Sequence, residues 1–555
     1  MAAGIAVRLG LWWQDRAFWR DELGLVQSLD AYPAAALLGR LADTQSAPPL
    51  WLLVVRAVTA VAGDGERTYR LVTLGSGCAL LVLVALLGIR LVRYRWAIVV
   101  PLILLATLSE LVFYTVQTKQ YATDALAVTW LVLLGVLLLA RGAEPTVAQG
   151  GEAGDGVGVS ARHSGFRRTD LWWYASLVVL PWLSHAFMLA APLVAGWVTL
   201  VRMWRGELTL RRAAGWLVAP AVSVLAAALY ARHLTSQAPD FLTYWAAFLG
   251  PSGHTTHGGG LGGWWDWHRF VFGEFAVREL GFPTTWAAVL VVVGALIAFR
   301  RGAAIAMLLV LPLVAAYTVG VLGLYPFGRR LVLFCVPSLL LCLGILVDAV
   351  AGRAVRVVRG WTARSGGPSG WPAVGDRMVA AVAGTTTAAA VLALCWTPPT
   401  RLVHDLTYLY GVDDYRGALS FVAAKWEPGD VLLVGNGDRA AVRVYAPRLH
   451  LPLDRAYRAI PTGTTTPRAD CPLPRELAAA RRIWLVTGDV VPLYDGVPSR
   501  YALVSPLLSR FRVVWFQDKG LVTVQAVIPG STPDARPTRC LDYAPVGPAG
   551  SPALP

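Results

Sequence analysis

The stretch FWRDELGLVQSL, residues 18–29, sets Asp21 and Glu22 between the pair Trp19-Arg20 and an apolar run at Leu23, Val26 and Leu29. That pattern predicts a helix opening at the acidic pair, where an N-cap and an acidic first turn suit the positive end of the helix dipole. The chain around it is of another kind. Of 555 residues, 56% are hydrophobic and 15% charged, with a mean hydropathy of +0.54, whereas a soluble domain averages ~25% charged. The composition predicts a polytopic membrane protein. A carboxylate pair set among membrane spans is costly, so Asp21 and Glu22 are functional candidates before anything else is known.

The net charge of +15 does not indicate nucleic acid. Its arginines fall mostly in short loops between apolar runs, which is the positive-inside pattern of a membrane protein rather than a groove for phosphates. Six cysteines without CxxC spacing argue against a structural zinc site. The N-terminal residues are too weakly apolar for a cleavable signal peptide.

In chain order, AGIAVRLGLWW at 3–13 has about half the ~20 apolar residues of a span. It reads either as the tail of a helix that starts upstream or as a shallow interfacial helix, and the first is the expectation. After the acidic pair, SAPPLWLLVVRAV begins a short apolar helix behind Pro48-Pro49. Ten spans are expected at roughly 69–90, 97–113, 121–140, 171–183, 186–201, 213–231, 283–299, 303–323, 331–350 and 378–396. Reading 171–201 as two short helices rather than one keeps Arg90, Arg93, Arg95, Arg167, Arg168, Arg202, Arg205, Arg211, Arg212, Arg300, Arg301, Arg353, Arg356, Arg359 and Arg364 on one side, the cytoplasmic one. Residues 14–68, 114–120, 184–185, 232–282, 324–330 and all after 396 then lie outside.

The fold expected is therefore a polytopic α-helical membrane protein of about ten to eleven transmembrane helices over 1–400, with a C-terminal extracytoplasmic α/β domain over 401–555. That domain is read from DVLLVGN, RRIWLVTGD, RVVWFQ and LVTVQAVI as strands and DDYRGALSFVAAKW as a helix. Cys471 and Cys540 lie in it, where oxidation to a disulfide is open to them. VGNGD after the first strand is an incomplete GxGxxG and reads as a turn. The Gly-rich loop at 142–166 reads as a disordered connector. In the large outer loop 232–282, GHTTHGGGLGGWWDWHRF reads as an aromatic belt on an interfacial helix, ahead of a role in gripping a sugar or lipid carrier.

Three further places carry candidates. YTVQTKQYATDALAV, residues 114–128, puts Lys119, Tyr121 and Asp124 at the outer end of a span. On one helix Lys119 and Asp124 would project to different faces. Snorkelling accounts for Lys119; Asp124, inside an apolar span, is harder to dismiss. Ser184-His185 stands at an outer turn, where a lone His is often a local hydrogen-bonding residue. YPFGRR, residues 325–330, places Arg329 and Arg330 outside, against the positive-inside bias. Arginine's planar fork suits a phosphate.

Taken in order, W-x-DE in the first outer loop, PPL, QxKxY after a span, SH and YPFGRR resemble the GT-C membrane glycosyltransferases. The likeness is to the family-39-like branch that includes protein O-mannosyltransferases and aminoarabinose transferases, in its actinobacterial type. It covers about residues 5–350. The resemblance implies a polyprenyl-phosphate sugar donor, an envelope glycan, lipid or protein acceptor on the outer face of the plasma membrane, and inversion at the anomeric carbon. It matches Asp21 to the general base, with Glu22 as supporting partner. Lys119, Tyr121, His185, Arg329 and Arg330 would bind substrate, Lys119 and Arg329 by holding the lipid phosphate. Asp124 would match a second acidic position that in some members helps bind a divalent metal such as Mg or Mn. Few histidines disfavour protein O-mannosylation. The absence of a cytoplasmic nucleotide-binding domain independently suits a donor delivered within the bilayer. A transporter or lipid flippase also explains charges at span ends, but it would show an internal repeat and broken midplane helices, and no convincing repeat is found. A third reading is an inactive relative whose terminal domain binds cell-wall glycan, against which the intact Asp21 argues.

Overall fold

The computed structural model describes residues 1–141, 168–236, 244–251, 261–364 apart from 284, 373–396, 402–403, 413–461, 473–488, 507, 511–519, 522–530 and 541–547. The chain divides into two compact units. One comprises Met1–Gly10, Ala47–Trp51 and Val72–Pro399; the other comprises Leu11–Ser46, Leu52–Leu71 and Thr400–Pro555. Most of the first loop thus belongs with the C-terminal residues. Cys471 and Cys540 lie outside the described residues, as do the connector 142–166 and His254 and His257.

The helices, in chain order, begin with α1 (Ala2–Trp13), α2 (Arg20–Ala31), α3 (Pro49–Ala62), α4 (Leu71–Leu91), α5 (Val99–Thr107), α6 (Ser109–Thr115) and α7 (Tyr121–Arg141). They continue with α8 (Arg168–Val179), α9 (His185–Trp204), α10 (Leu210–Ser236), α11 (Leu261–Glu274), α12 (Trp286–Val321), α13 (Val336–Arg364) and α14 (Ala373–Cys395). Among the described residues seven helices are long and apolar enough to cross a membrane, or eight if a pair bent by 63° at Leu108 is one span. The expected ten differ from this in identifiable places. The stretch Ala287–Val321 is 35 residues, roughly 50 Å against a hydrocarbon core of ~30 Å. It breaks at Gly302, whose backbone is non-helical, so two spans run head to tail there. α8 with the 3-10 turn Leu180–Trp182 stands where 171–183 was expected but is short. A break at Ser184 separates it from α9, giving two helices rather than one.

The bend at Leu108 is stabilised from the N-terminus. A helix that stops leaves carbonyls without partners, and the buried Arg8 of α1 donates to Leu105 O at 3.1 Å and Ala106 O at 3.4 Å. α6 then carries the chain to a non-helical turn, Val116–Gln120.

The second unit is built on a six-stranded sheet of β1 (Asp430–Gly435), β2 (Ala456–Pro461), β3 (Arg482–Gly488), β4 (Phe511–Lys519), β5 (Val522–Pro529) and β6 (Leu541–Pro545), in the order β4-β5-β3-β1-β2-β6. β1 is parallel to β2 and to β3, while β5, β4 and β6 run antiparallel to their neighbours. Val431, Leu433, Ile483, Leu485, Val527 and Leu541 form the core on one face. α15 (Tyr415–Ala424) precedes β1 and α16 (Arg439–Arg448) joins β1 to β2. The first loop packs on α16. Tyr445 Oη accepts from Phe18 N–H at 2.8 Å and bonds Glu66 Oε1 at 3.1 Å. Arg439 pairs with Asp43 at 2.5 Å, and Arg448 with Asp30 at 3.0 Å.

Candidate functional site

The helical unit concentrates polar groups at one irregular turn. α7 starts at Tyr121, so Lys119 is not on the same helix as Asp124, contrary to the sequence expectation. It lies instead in the non-helical turn Val116–Gln120, whose side chains Gln117, Thr118, Lys119 and Gln120 are all buried. Lys119 is 4% exposed, so it does not snorkel from the surface of the unit. Non-helical backbone inside an apolar bundle persists only where protein or a polar cavity surrounds it. Gln117 Oε1 is buried without a hydrogen-bond partner, an orphaned acceptor of the kind that marks a ligand site or strain.

The Tyr325–Arg330 turn packs beside it. Phe327 N–H donates to Phe248 O at 2.9 Å, which ties this turn to Ala246–Phe248 of the large loop. The Arg330 guanidinium lies 5.9 Å from the Tyr121 ring centroid and 5.5 Å from that of Trp245. Arg329 lies 5.6 Å from the Phe248 ring and is exposed. Its backbone sits at φ 50°, the left-handed region that a residue with a Cβ enters at a cost of about 1–2 kcal/mol. Tyr325 faces both Asp124 and Tyr121, and burial followed by those neighbours pushes its hydroxyl well above the usual tyrosine range. Arg330 and Tyr325 therefore meet the start of α7, two residues beyond the buried Lys119, and the strained Arg329 stands exposed beside Arg330.

Asp124 is tied down. Ser184 Oγ donates to its Oδ1 at 2.5 Å, and the Ala186 N–H also donates to it. The same Ser184 Oγ caps α9 by accepting from Phe187 N–H at 3.0 Å. The carboxylate thus sits on the N-terminus of α9, where the dipole favours it. Of the pair Ser184-His185, Ser184 makes this contact, while His185 is half-buried at the first turn of α9. A divalent metal needs several carboxylate or imidazole ligands. No group of three or more His, Cys, Asp or Glu able to hold one is found among the described residues, and the donors on Asp124 occupy it as hydrogen bonds. The donor set at Asp124 does not fit a metal.

Asp21 and Glu22 lie in the other unit, in the first turn of α2. Glu22 is fully buried and closes the helix start: its Oε2 accepts from Trp19 N–H at 2.9 Å, while Glu22 N–H donates to Trp19 O at 2.8 Å. Arg70 takes the remaining acceptor sites, Nε to Oε1 at 3.0 Å and Nη2 to Oε2 at 2.7 Å. Nothing in the pattern around Arg70 announced this pairing. Asp21 is only half-buried, and its charge acts on Asp413, just before α15. The acidic pair is thereby divided into a locked residue, Glu22, and a more accessible one, Asp21.

In the large loop, α11 exposes Trp264 (42%) and Trp265 (59%) and buries Trp267 and His268. His268 Nε2 bonds Tyr317 Oη at 2.6 Å. That disposition suits the expected aromatic belt better than a sugar clamp.

No family model matches the chain, and no curated protein does. Solved structures do. ArnT from Cupriavidus metallidurans bound to undecaprenyl phosphate is similar over 94% of this chain and 97% of its own, at 14% identity and a TM-score of 0.51. The apo state of the same protein gives 14% identity over the same shares and a TM-score of 0.49. The Archaeoglobus fulgidus oligosaccharyltransferase in complex with Zn and sulfate gives 11% identity and a TM-score of 0.45, over 94% of this chain and 72% of that one. At such identity the first likeness establishes the fold alone, a multi-pass helical membrane fold with a small C-terminal sheet domain.

Proposed function

We propose that the chain is an integral-membrane glycosyltransferase that moves one sugar, a mannose-like hexose or a pentose, from a polyprenyl phosphate to an acceptor of the cell envelope outside the plasma membrane. The observation that carries this reading is the Arg330 guanidinium on Tyr121 at the start of α7, two residues beyond the buried Lys119, with the exposed Arg329 next to it in the chain. A lipid phosphate arrives from the bilayer and fits a lysine point charge and an arginine fork. The ArnT structure of the same fold holds undecaprenyl phosphate, which supports the donor class.

In the proposed step an acceptor hydroxyl gives its proton to the Asp21 carboxylate as its oxygen attacks the anomeric carbon. The bond from that carbon to the phosphate oxygen breaks, and the polyprenyl phosphate leaves with the electron pair. Lys119, Arg329 and Arg330 stabilise the charge that grows on the leaving phosphate. Glu22, held by Arg70, orders the turn that carries Asp21. Asp124 positions α7 on α9 and needs no proton or metal for that role.

The test is transfer from a panel of radiolabelled polyprenyl-phosphate sugars to an envelope extract by the purified protein, beside Asp21→Asn. Label that enters product only with Asp21 present supports the reading and names the sugar. Undiminished turnover in Asp21→Asn removes Asp21 from the chemistry.

A further inference from the structure

The second unit holds more buried positive charge than its described carboxylates answer. Arg439 and Arg443 stand one turn apart on the same face of α16. Arg458, in β2, alternates with Tyr457 and Ala459, which line the core on one face of the sheet, so it projects from the other. There Arg458 Nη1 and Arg439 Nη1 donate to one oxygen, Asn436 Oδ1, at 3.1 and 3.2 Å. Arg443 donates through Nε and Nη2 to the carbonyl of Val546, the residue that follows β6, at 3.1 and 2.7 Å. The three guanidinium groups feel one another. Burial first, opposed by the Asp43 charge and reinforced by Arg439 and Arg458, pulls Arg443 below the usual arginine range. Burial and then the Arg439 charge do the same to Arg458.

Asp43 faces this group, and Arg439 already holds it through Nε and Nη2 at 2.8 and 2.5 Å. Arg443, 8% exposed, and Arg458, 7% exposed, are left with neutral acceptors and no ion pair among the described residues. Arg458 Nε is buried and has no hydrogen-bond partner among them. A guanidinium cannot shed its proton to escape this cost, and a buried charge is expensive unless it is paired. The Val546 carbonyl explains Arg443 as a fastening for the end of β6. It explains neither Arg458 nor the two positive charges in excess. Planar guanidinium forks suit phosphate oxygens, and a dianion cancels two charges where a carboxylate cancels one. We infer that Arg443 and Arg458, with Arg439 and Asn436 at the margin, hold a phosphate monoester between α16 and β2. Asn436 and Arg439 are half-buried and Gly437 is exposed, which gives the way in. Lys119, Arg329 and Arg330, proposed above for the donor phosphate, belong to the other unit, so this is a second anion site.

The experiment is calorimetric titration of inorganic phosphate into the full chain in phosphatidylcholine nanodiscs at constant ionic strength, with melting curves on the same preparations. The expected result is binding by the wild type that weakens about tenfold or more in Arg458→Gln and in Arg458→Lys, since lysine keeps the charge and loses the fork. Phosphate should raise the melting temperature of the wild type and leave that of Arg458→Gln unmoved. Without phosphate Arg458→Gln should melt no lower than the wild type, because it removes an uncompensated buried charge. Arg512→Gln, at an exposed position of β4, should bind like the wild type. Tighter binding of glucose 6-phosphate than of inorganic phosphate supports the site and assigns it a sugar-borne phosphate. Binding lost in nanodiscs that carry phosphatidic acid supports the site and assigns it a lipid headgroup. No binding of phosphate overturns the inference, as does undiminished affinity in Arg458→Gln or equal affinity for acetate. A lower melt of Arg458→Gln without phosphate also overturns it, because Arg458 would then be paired within the fold. So does affinity lost in Arg329→Gly and kept in Arg458→Gln, which would put the phosphate in the proposed donor site.

Discussion

Arg70 grips Glu22 with both arms of its guanidinium, Nε on Oε1 at 3.0 Å and Nη2 on Oε2 at 2.7 Å, in a place where neither side chain is more than 4% exposed. The same guanidinium donates to Arg16 O at 2.7 Å and Ala17 O at 3.0 Å. It therefore fixes the whole turn that leads into Asp21. Breaking a buried pair of this kind costs about 3–5 kcal/mol, because one charge is left without compensation. Glu22→Ala and Arg70→Ala should each lower the melting temperature and lose transfer, and Arg70→Lys should restore little because lysine lacks the fork. Asp21→Asn should lose transfer with the melt unchanged. A melt for Glu22→Ala that overlays the wild type would mean that Glu22 acts in the chemistry and not in the scaffold.

How much of this was legible beforehand follows from what patterns encode. Apolar runs announced α4, α7, α9, α10, α13 and α14 because a span must satisfy its own backbone bonds over ~20 residues. β1, β3, β4 and β5 were readable as hydrophobic runs. β2, with Arg458 and Pro461 in it, and β6, with Asp542, carry polar residues at the margin of the sheet and gave no such signal. YPFGRR exposed itself by carrying two arginines where few belong. Arg70 did not, since one arginine before a span looks like any loop cation, and its partner is 48 positions away.

Arg329 sits at φ 50° with its guanidinium on the Phe248 face. Strain kept at a charged residue is a hypothesis of function. Arg329→Gly removes the left-handed penalty, worth about 1 kcal/mol, so the variant should melt no lower than the wild type. Its affinity for polyprenyl phosphate should fall tenfold or more, with Arg329→Lys between the two. Thermal melts and a polyprenyl-phosphate binding isotherm on the same preparations check both halves. Full affinity in the glycine variant would take Arg329 out of the phosphate site.

Ser184 shares one hydroxyl between Asp124 at 2.5 Å and the Phe187 N–H at 3.0 Å. Removing it leaves a buried carboxylate short of a donor, at a cost of about 1–3 kcal/mol. Ser184→Ala and Asp124→Asn should destabilise by similar amounts, and the double variant should cost clearly less than their sum, because they remove one shared interaction. Turnover should follow folded protein in all three. If Asp124→Asn instead abolished transfer while Ser184→Ala kept it at equal stability, Asp124 would belong to the reaction.

Glu279 closes the π-helical turn Phe275–Glu279, in which Leu280 N–H reaches back to Phe275 O at 2.9 Å and Gly281 ends the turn at φ 64°. Its side chain is 1% exposed, with Oε2 unpartnered. Burial first, and then the Glu110 charge, push its carboxyl up to about 8, with Glu274 adding to the rise and Arg278 opposing it. The folded value thus lies above the unfolded one of ~4.3, so the native state holds a proton that the unfolded state releases. The resulting stability is full below pH ~4 and is lost as pH rises through about 8, with a slope on the order of 1.4 kcal/mol per pH unit in between. Glu279→Gln, permanently neutral, should flatten that slope and melt higher than the wild type at pH 8, while the two proteins converge at pH 5. Melting curves taken every half unit from pH 5 to 9 decide it: parallel profiles for the two proteins would show that Glu279 is ionised in the fold, and that some partner of its carboxylate meets the charge.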